Sequence, residues 1–138
     1  MPARDTSTGT VLEQMVLPAL ARGGYACEKQ VSVGQRPGGG RHVVDAVAVK
    51  DGRRWLISLK WQQVSGTAEQ KVPFEVICLA EAVLSGDFEA AYLVLGGEGW
   101  TLRGFYTGGE LTRHLVTKDK VRIVTLEGFV AKANRGEL

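Results

Sequence analysis

His42-Val43-Val44-Asp45-Ala46-Val47-Ala48-Val49-Lys50-Asp51-Gly52-Arg53-Arg54-Trp55-Leu56-Ile57-Ser58-Leu59-Lys60-Trp61 is the stretch that decides the fold. Two runs rich in β-branched and aromatic residues flank the tight signal Lys50-Asp51-Gly52-Arg53. An Asp-Gly pair between such runs is a strong short-range signal for a β-hairpin. The hairpin puts Asp45 on one strand and Ser58 and Lys60 on the next. Ser58 and Lys60 share a face, because side chains repeat every two residues along a strand. A carboxylate and a lysine on adjacent strands can serve chemistry, the one as an oxygen ligand for a metal and the other as a positive charge, or can form a structural ion pair.

Outward from the hairpin, helices and strands alternate. Thr10-Val11-Leu12-Glu13 reads as a capping box opening a first helix. Leu12, Met15, Val16, Ala19 and Leu20 keep helical spacing. Pro18 strains the middle of that helix and predicts a kink, and Gly23-Gly24 ends it. Residues 25–33 read as a strand, and residues 34–40 as a flexible glycine loop. A second helix is expected from Ala68 to Leu84, with Pro73 in its first turns, where proline does least harm. A buried strand follows over residues 90–95. Residues 96–109 read as irregular, with Trp100, Phe105 and Tyr106 pinned in them. Residues 111–116 suggest a short helix. Residues 121–126 read as a last strand, with a short helix from about Gly128. This order predicts an α/β fold with a sheet of mixed direction. A single domain over residues 1–138 is expected, with residues 1–7 a loose tail.

Composition narrows the class. The chain has 138 residues, of which 44% are hydrophobic, enough for one core. The net charge of +2 is mildly basic, short of the signature of a dedicated nucleic-acid binder. Cys27 and Cys78 fall in a strand pattern and an apolar helix, which suggests buried free thiols. His42 and His114 are too isolated to argue for a metal pair. Trp55 and Trp61 read as packing residues. No apolar stretch reaches spanning length and the first residues show no signal-peptide pattern, so a soluble, cytoplasmic protein is expected.

The placement of Asp45, the Ser58-Leu59-Lys60 tripeptide and, upstream, Glu13 on a first helix resembles the PD-(D/E)xK nuclease superfamily. The order of helix, strand, strand with the acid, strand with the lysine, helix and strand covers residues 8–96. Trp61-Gln62-Gln63 directly after the lysine adds to the resemblance. Ser58 departs from it, standing where the superfamily usually has a second acid. The resemblance implies a restriction-endonuclease-like mixed central sheet flanked by helices. It also implies an Mg²⁺-dependent endonuclease hydrolysing DNA phosphodiester bonds, with Mn²⁺ able to substitute.

That resemblance gives each residue an expected role beside a plainer one. Asp45 is the central metal ligand, a hard oxygen donor suited to Mg²⁺, or else a buried acid paired with a nearby arginine. Glu13 is a second carboxylate for the metal, or simply the capping-box acid. The Leu59 carbonyl supplies another oxygen. Ser58 offers only a neutral hydroxyl. Lys60 orients the attacking water and stabilises transition-state charge, and Gln62 follows it on the same strand face. Gln35, Arg36, Arg41 and His42 form a loop that could enter a DNA groove, where arginine reads guanine and glutamine reads adenine. Lys118 and Lys120 could touch phosphates. The plainer reading makes both groups solvated turns. One site cuts one strand, so cutting a duplex predicts a homo-oligomer, a dimer or tetramer. Rival readings are a catalytically silent DNA-binding protein of the same fold, a Holliday-junction-type resolvase acting on branched DNA, and a binding module in which Asp45 and Lys60 form a structural ion pair.

Overall fold

The structure, a computed structural model, describes residues 7–138. The expected loose tail lies outside these residues except for Ser7, which begins a helix. Five strands form one sheet in the order β1 (Ala26–Gln35), β2 (Arg41–Lys50), β3 (Arg53–Trp61), β4 (Ala90–Gly96) and β5 (Val121–Thr125). The first three pair antiparallel, and β3–β4 and β4–β5 pair parallel. The sheet is therefore mixed and helix-flanked, an α/β restriction-endonuclease-like architecture.

The Asp-Gly turn closes the β2–β3 hairpin, with Asp51 at φ 54° and Gly52 at φ 76°. Positive φ at both central residues matches the right-handed twist of the strands. A parallel pair needs a crossover, and α3 (Ala68–Ser85) supplies it between β3 and β4. Every residue of β4 is buried, as expected for a parallel strand covered on both faces. One face packs Ala46, Ile57, Tyr92 and Val94 against α1 (Ser7–Val11), α2 (Leu17–Arg22) and α5 (Leu126–Asn134). The other packs Val47, Leu56, Leu93 and Leu95 against Val72, Val76, Leu79 and Val83 of α3, with Trp100 and Tyr106 beside them. Tyr106 belongs to α4 (Arg103–Thr107), a helical turn within the stretch expected to be irregular. Among the described residues, no helix is long and apolar enough to cross a membrane.

Some local expectations change. The first helix begins at Ser7, so Thr10 lies within it and forms no capping box. Residues Leu12–Val16 form a π turn in which the Leu17 N–H donates to the Leu12 carbonyl. A proline ring crowds the carbonyl four residues earlier, here Gln14, and a π turn is one way for a helix to make room for it. Cys27 is exposed rather than buried, because β1 is an edge strand and its residues are mostly exposed. The glycine loop is a closed turn: the Arg36 N–H donates to the Gly40 carbonyl, and the Gly39 N–H to the Arg36 carbonyl.

Candidate active site

The β2–β3 ladder runs from Lys50↔Arg53 to Ala46↔Ile57 and stops there. Beyond it the Leu59 N–H donates to Asp45 Oδ2 at 2.6 Å. The Asp45 carboxylate thus takes a backbone hydrogen that strand pairing leaves free. Opposite Asp45 in the β1–β2 register stands Gln30, between the pairs Lys29↔Ala46 and Val31↔Val44. Gln30 has φ 54°, a left-handed conformation unusual for this residue inside a strand. Burial pushes the Asp45 carboxyl above its ordinary range, against the opposing pull of the Leu59 N–H, the Lys60 charge and the Gln30 amide.

Asp45, Ser58, Leu59 and Lys60 line one cavity of about 410 Å³ with Arg36, Lys71 and Glu75. Glu75 is the residue that the sequence did not reveal. It sits on α3 at 4% exposure. Ser58 Oγ donates to Glu75 Oε2 at 2.9 Å, and His42 Nε2 lies 3.2 Å from the same oxygen. Both bonds go to Oε2, which leaves Oε1 without a hydrogen bond among the described residues. Burial pushes this carboxyl up, but the bonds from His42 and Ser58 and the Lys60 charge outweigh it and hold it below its usual value. Ser58, in the place of the missing acid, therefore holds a carboxylate supplied from the neighbouring helix. The discoverable signal was an acid on the apolar phase of α3, beside Val72, Val76 and Leu79.

The other expected site residues fall in various places. Lys60 lines the cavity and forms no ion pair with Asp45; among the described residues it forms none at all. Glu13 is not brought to this cavity. It pairs with Lys29 on the exposed surface, at 2.5 Å, beside a separate hollow. Gln62 is 5% exposed and turns into a buried network, donating to Glu69 Oε1 at 3.0 Å and to the Gly99 carbonyl at 2.7 Å. Glu69 also accepts from the backbone N–H groups of Thr101 and Leu102, at 2.6 and 2.9 Å. His42, expected on a DNA-reading loop, is 1% exposed, so its ring supports Glu75 and offers no surface to a duplex. Gln35 and Arg41 are exposed at the end of the β1–β2 hairpin, while Arg36 is half-buried at the cavity wall. Lys118 and Lys120 are exposed at the opposite end of the sheet from Lys60. Lys120 precedes the Ala91↔Val121 pair, whereas Lys60 pairs with Leu95.

The donor set suits a hard divalent cation. Mg²⁺ is commonly held by one or two carboxylates and keeps several waters. Asp45, Glu75 and the Leu59 carbonyl fit that requirement. Among the described residues, no group of three or more His, Cys, Asp or Glu side chains is arranged to hold a metal alone, so such an ion would rely on water and substrate for its remaining oxygens.

The family model of the PD-(D/E)XK nuclease superfamily domain matches residues 4–137. Among the curated proteins none matches this chain. A solved protein of unknown function, AF1548, is similar at 15% identity over 80% of this chain, with a TM-score of 0.49. The chain spans about half of that protein's length, 54%.

Proposed function

Because the chain belongs to the PD-(D/E)XK nuclease superfamily, we propose that it is a divalent-metal-dependent endonuclease that hydrolyses DNA phosphodiester bonds. Asp45, Glu75 and the Leu59 carbonyl would hold Mg²⁺, with Mn²⁺ able to replace it. When bound, the ion supplies Lewis-acid polarisation of the phosphate and lowers the pKa of water. Lys60 orients the attacking water and stabilises the charge that develops on the phosphate. Ser58 and His42 keep the Glu75 carboxylate ionised and aimed.

The observation that carries this reading is the meeting of Asp45, Glu75 and Lys60 in one cavity. Ser58 alone would favour a silent DNA-binding protein. A carboxylate bonded to its hydroxyl supports an active centre instead. Cutting both strands of a duplex requires a second copy. Phe74, Ile77 and Leu84 stay exposed on α3, and we place the homo-oligomeric interface there.

The test is cleavage of supercoiled plasmid with Mg²⁺, Mn²⁺ or EDTA, comparing wild type with Lys60→Ala. Nicked or linear product that needs both metal and Lys60 is expected. A branched-DNA substrate run in parallel separates a junction resolvase from an enzyme of linear duplexes. Folded wild-type protein that cuts neither plasmid, nor branched DNA, nor a library of varied sequences refutes the proposal.

A further inference from the structure

The cavity holds more positive charge than the proposed chemistry uses. Lys60 faces the carboxylates of Asp45 and Glu75 there, and Arg36 and Lys71 line the same space. Neither Arg36 nor Lys71 forms an ion pair among the described residues. The cationic side chains already outnumber the carboxylates, and a divalent cation would enlarge the surplus. A cavity so charged selects an anion.

Both side chains are placed by the fold. Arg36 is anchored through its own N–H and carbonyl to Gly40 and Gly39, with Gly38 at φ 96° and Gly39 at φ 105°. That closed turn keeps its side chain back at the cavity wall. Its Nε is buried and has no hydrogen-bond partner among the described residues. A buried donor left unpaired costs about 1–3 kcal/mol, so such an atom is normally satisfied by a partner. Lys71 lies one helical turn before Glu75 on α3, on the same side of the helix. Arg36 is close enough to Cys78, one turn after Glu75, for its charge to act on that thiol. The two cations therefore flank Glu75 along the helix.

We propose that Arg36 and Lys71 form a phosphate clamp, which grips a backbone phosphate of the DNA strand in the cavity and presents it to Asp45, Glu75 and Lys60. The Arg36 guanidinium donates to a non-bridging oxygen, and Lys71 meets the same or the adjacent phosphate as a point charge. The clamp rests on the nuclease reading for its purpose, but it is tested by binding alone.

The probe is a short DNA duplex, bound in EDTA and in Ca²⁺ over a range of salt concentrations, with thermal melts confirming that each variant is folded. Removing one cation from a phosphate lowers the salt slope by about 0.9. Arg36→Ala with Lys71→Ala should lower that slope by about 1.8 and weaken binding at least about tenfold. Arg36→Lys should restore the slope but only part of the affinity, since lysine lacks the planar fork. An unchanged slope and affinity in the double variant overturns the clamp, even if the wild type cuts DNA. Full rescue by Arg36→Lys overturns the guanidinium's part in it. No binding by wild type at low salt overturns both clamp and nuclease. Binding with the expected losses, but no cleavage with any metal, supports the clamp and refutes the nuclease reading.

Discussion

Glu69 and Glu75 lie on the same helix, yet the structure gives them opposite work, and Glu69→Ala separates the two. The Glu69 carboxylate accepts from the Gln62 side chain at 3.0 Å and from the Thr101 and Leu102 N–H groups at 2.6 and 2.9 Å. It ties the start of α3 to the end of β3 and to the entry of α4. Thr101 and Leu102 are exposed, so water replaces much of what they lose. Their loss resembles that of a helix cap, about 1 kcal/mol. Gln62 is buried, and losing a charged acceptor there costs about 1–3 kcal/mol. The sum is about 2–4 kcal/mol, which lowers the melting temperature by about 10 °C for a chain of this length. The hydrogen bonds from Thr101 lead a set that holds the Glu69 carboxyl below its ordinary value. A lowered folded pKa means that the stabilisation is fully present above the ordinary carboxylate pKa and is lost as pH falls through the folded one. The gap between wild type and Glu69→Ala should therefore be full at neutral pH and shrink in acid. Urea unfolding at several pH values measures it, and cleavage per folded molecule should stay within about threefold of wild type, under 1 kcal/mol. A stability change below about 1 kcal/mol, or a loss of cleavage by a fully stable variant, would refute the reasoning.

Asp45→Asn should lower cleavage by more than about a hundredfold and yet raise stability at neutral pH. The burial that lifts the Asp45 pKa makes its ionised form costly, so the wild type loses stability as pH rises from the ordinary carboxylate value through the folded one; chemical denaturation should show the variant's advantage vanishing in acid. Glu75→Gln keeps the shape and the Ser58 bond while removing the charge, and should reduce both single-turnover nicking and calorimetric Mn²⁺ affinity by at least about tenfold. Gly97→Ala should destabilise by more than about 2 kcal/mol in urea unfolding, since Gly97 sits at φ 89° and an added Cβ would lie 2.4 Å from the Gln62 carbonyl oxygen.

What was legible in the sequence was what local chemistry controls. The Asp51-Gly52 turn announces its own positive φ values, and the hairpin it closes brings Asp45 near the Ser58–Lys60 strand. The strands and α3 followed from periodicity to within a residue or two. Glu75 was hidden because its role depends on how α3 lies across the sheet, which no local pattern encodes. Gln62 follows Lys60 on the strand face as alternation requires. The approach of Gly97 to its backbone, the hydrogen bond from the Gly99 N–H to its carbonyl, and the acceptor on Glu69 hold it in the interior. The capping-box reading of Thr10 and Glu13 failed because Thr10 lies inside a helix that already includes Ser7, and Glu13 pairs with Lys29 instead.

The left-handed residue in β1 also bears on how this chain behaves in a crowd. β1 is ten residues long, mostly exposed, and bonded to the sheet on one side only. A long straight edge of that kind is a template on which further chains stack, strand on strand, toward insoluble fibres. The turn in the backbone at Gln30, φ 54°, interrupts the row of donors and acceptors midway, and exposed Glu28 and Lys29 stand beside the break. A second strand finds no continuous ladder to join. The irregularity that faces Asp45 thus also blunts this edge of the sheet against the addition of a further strand.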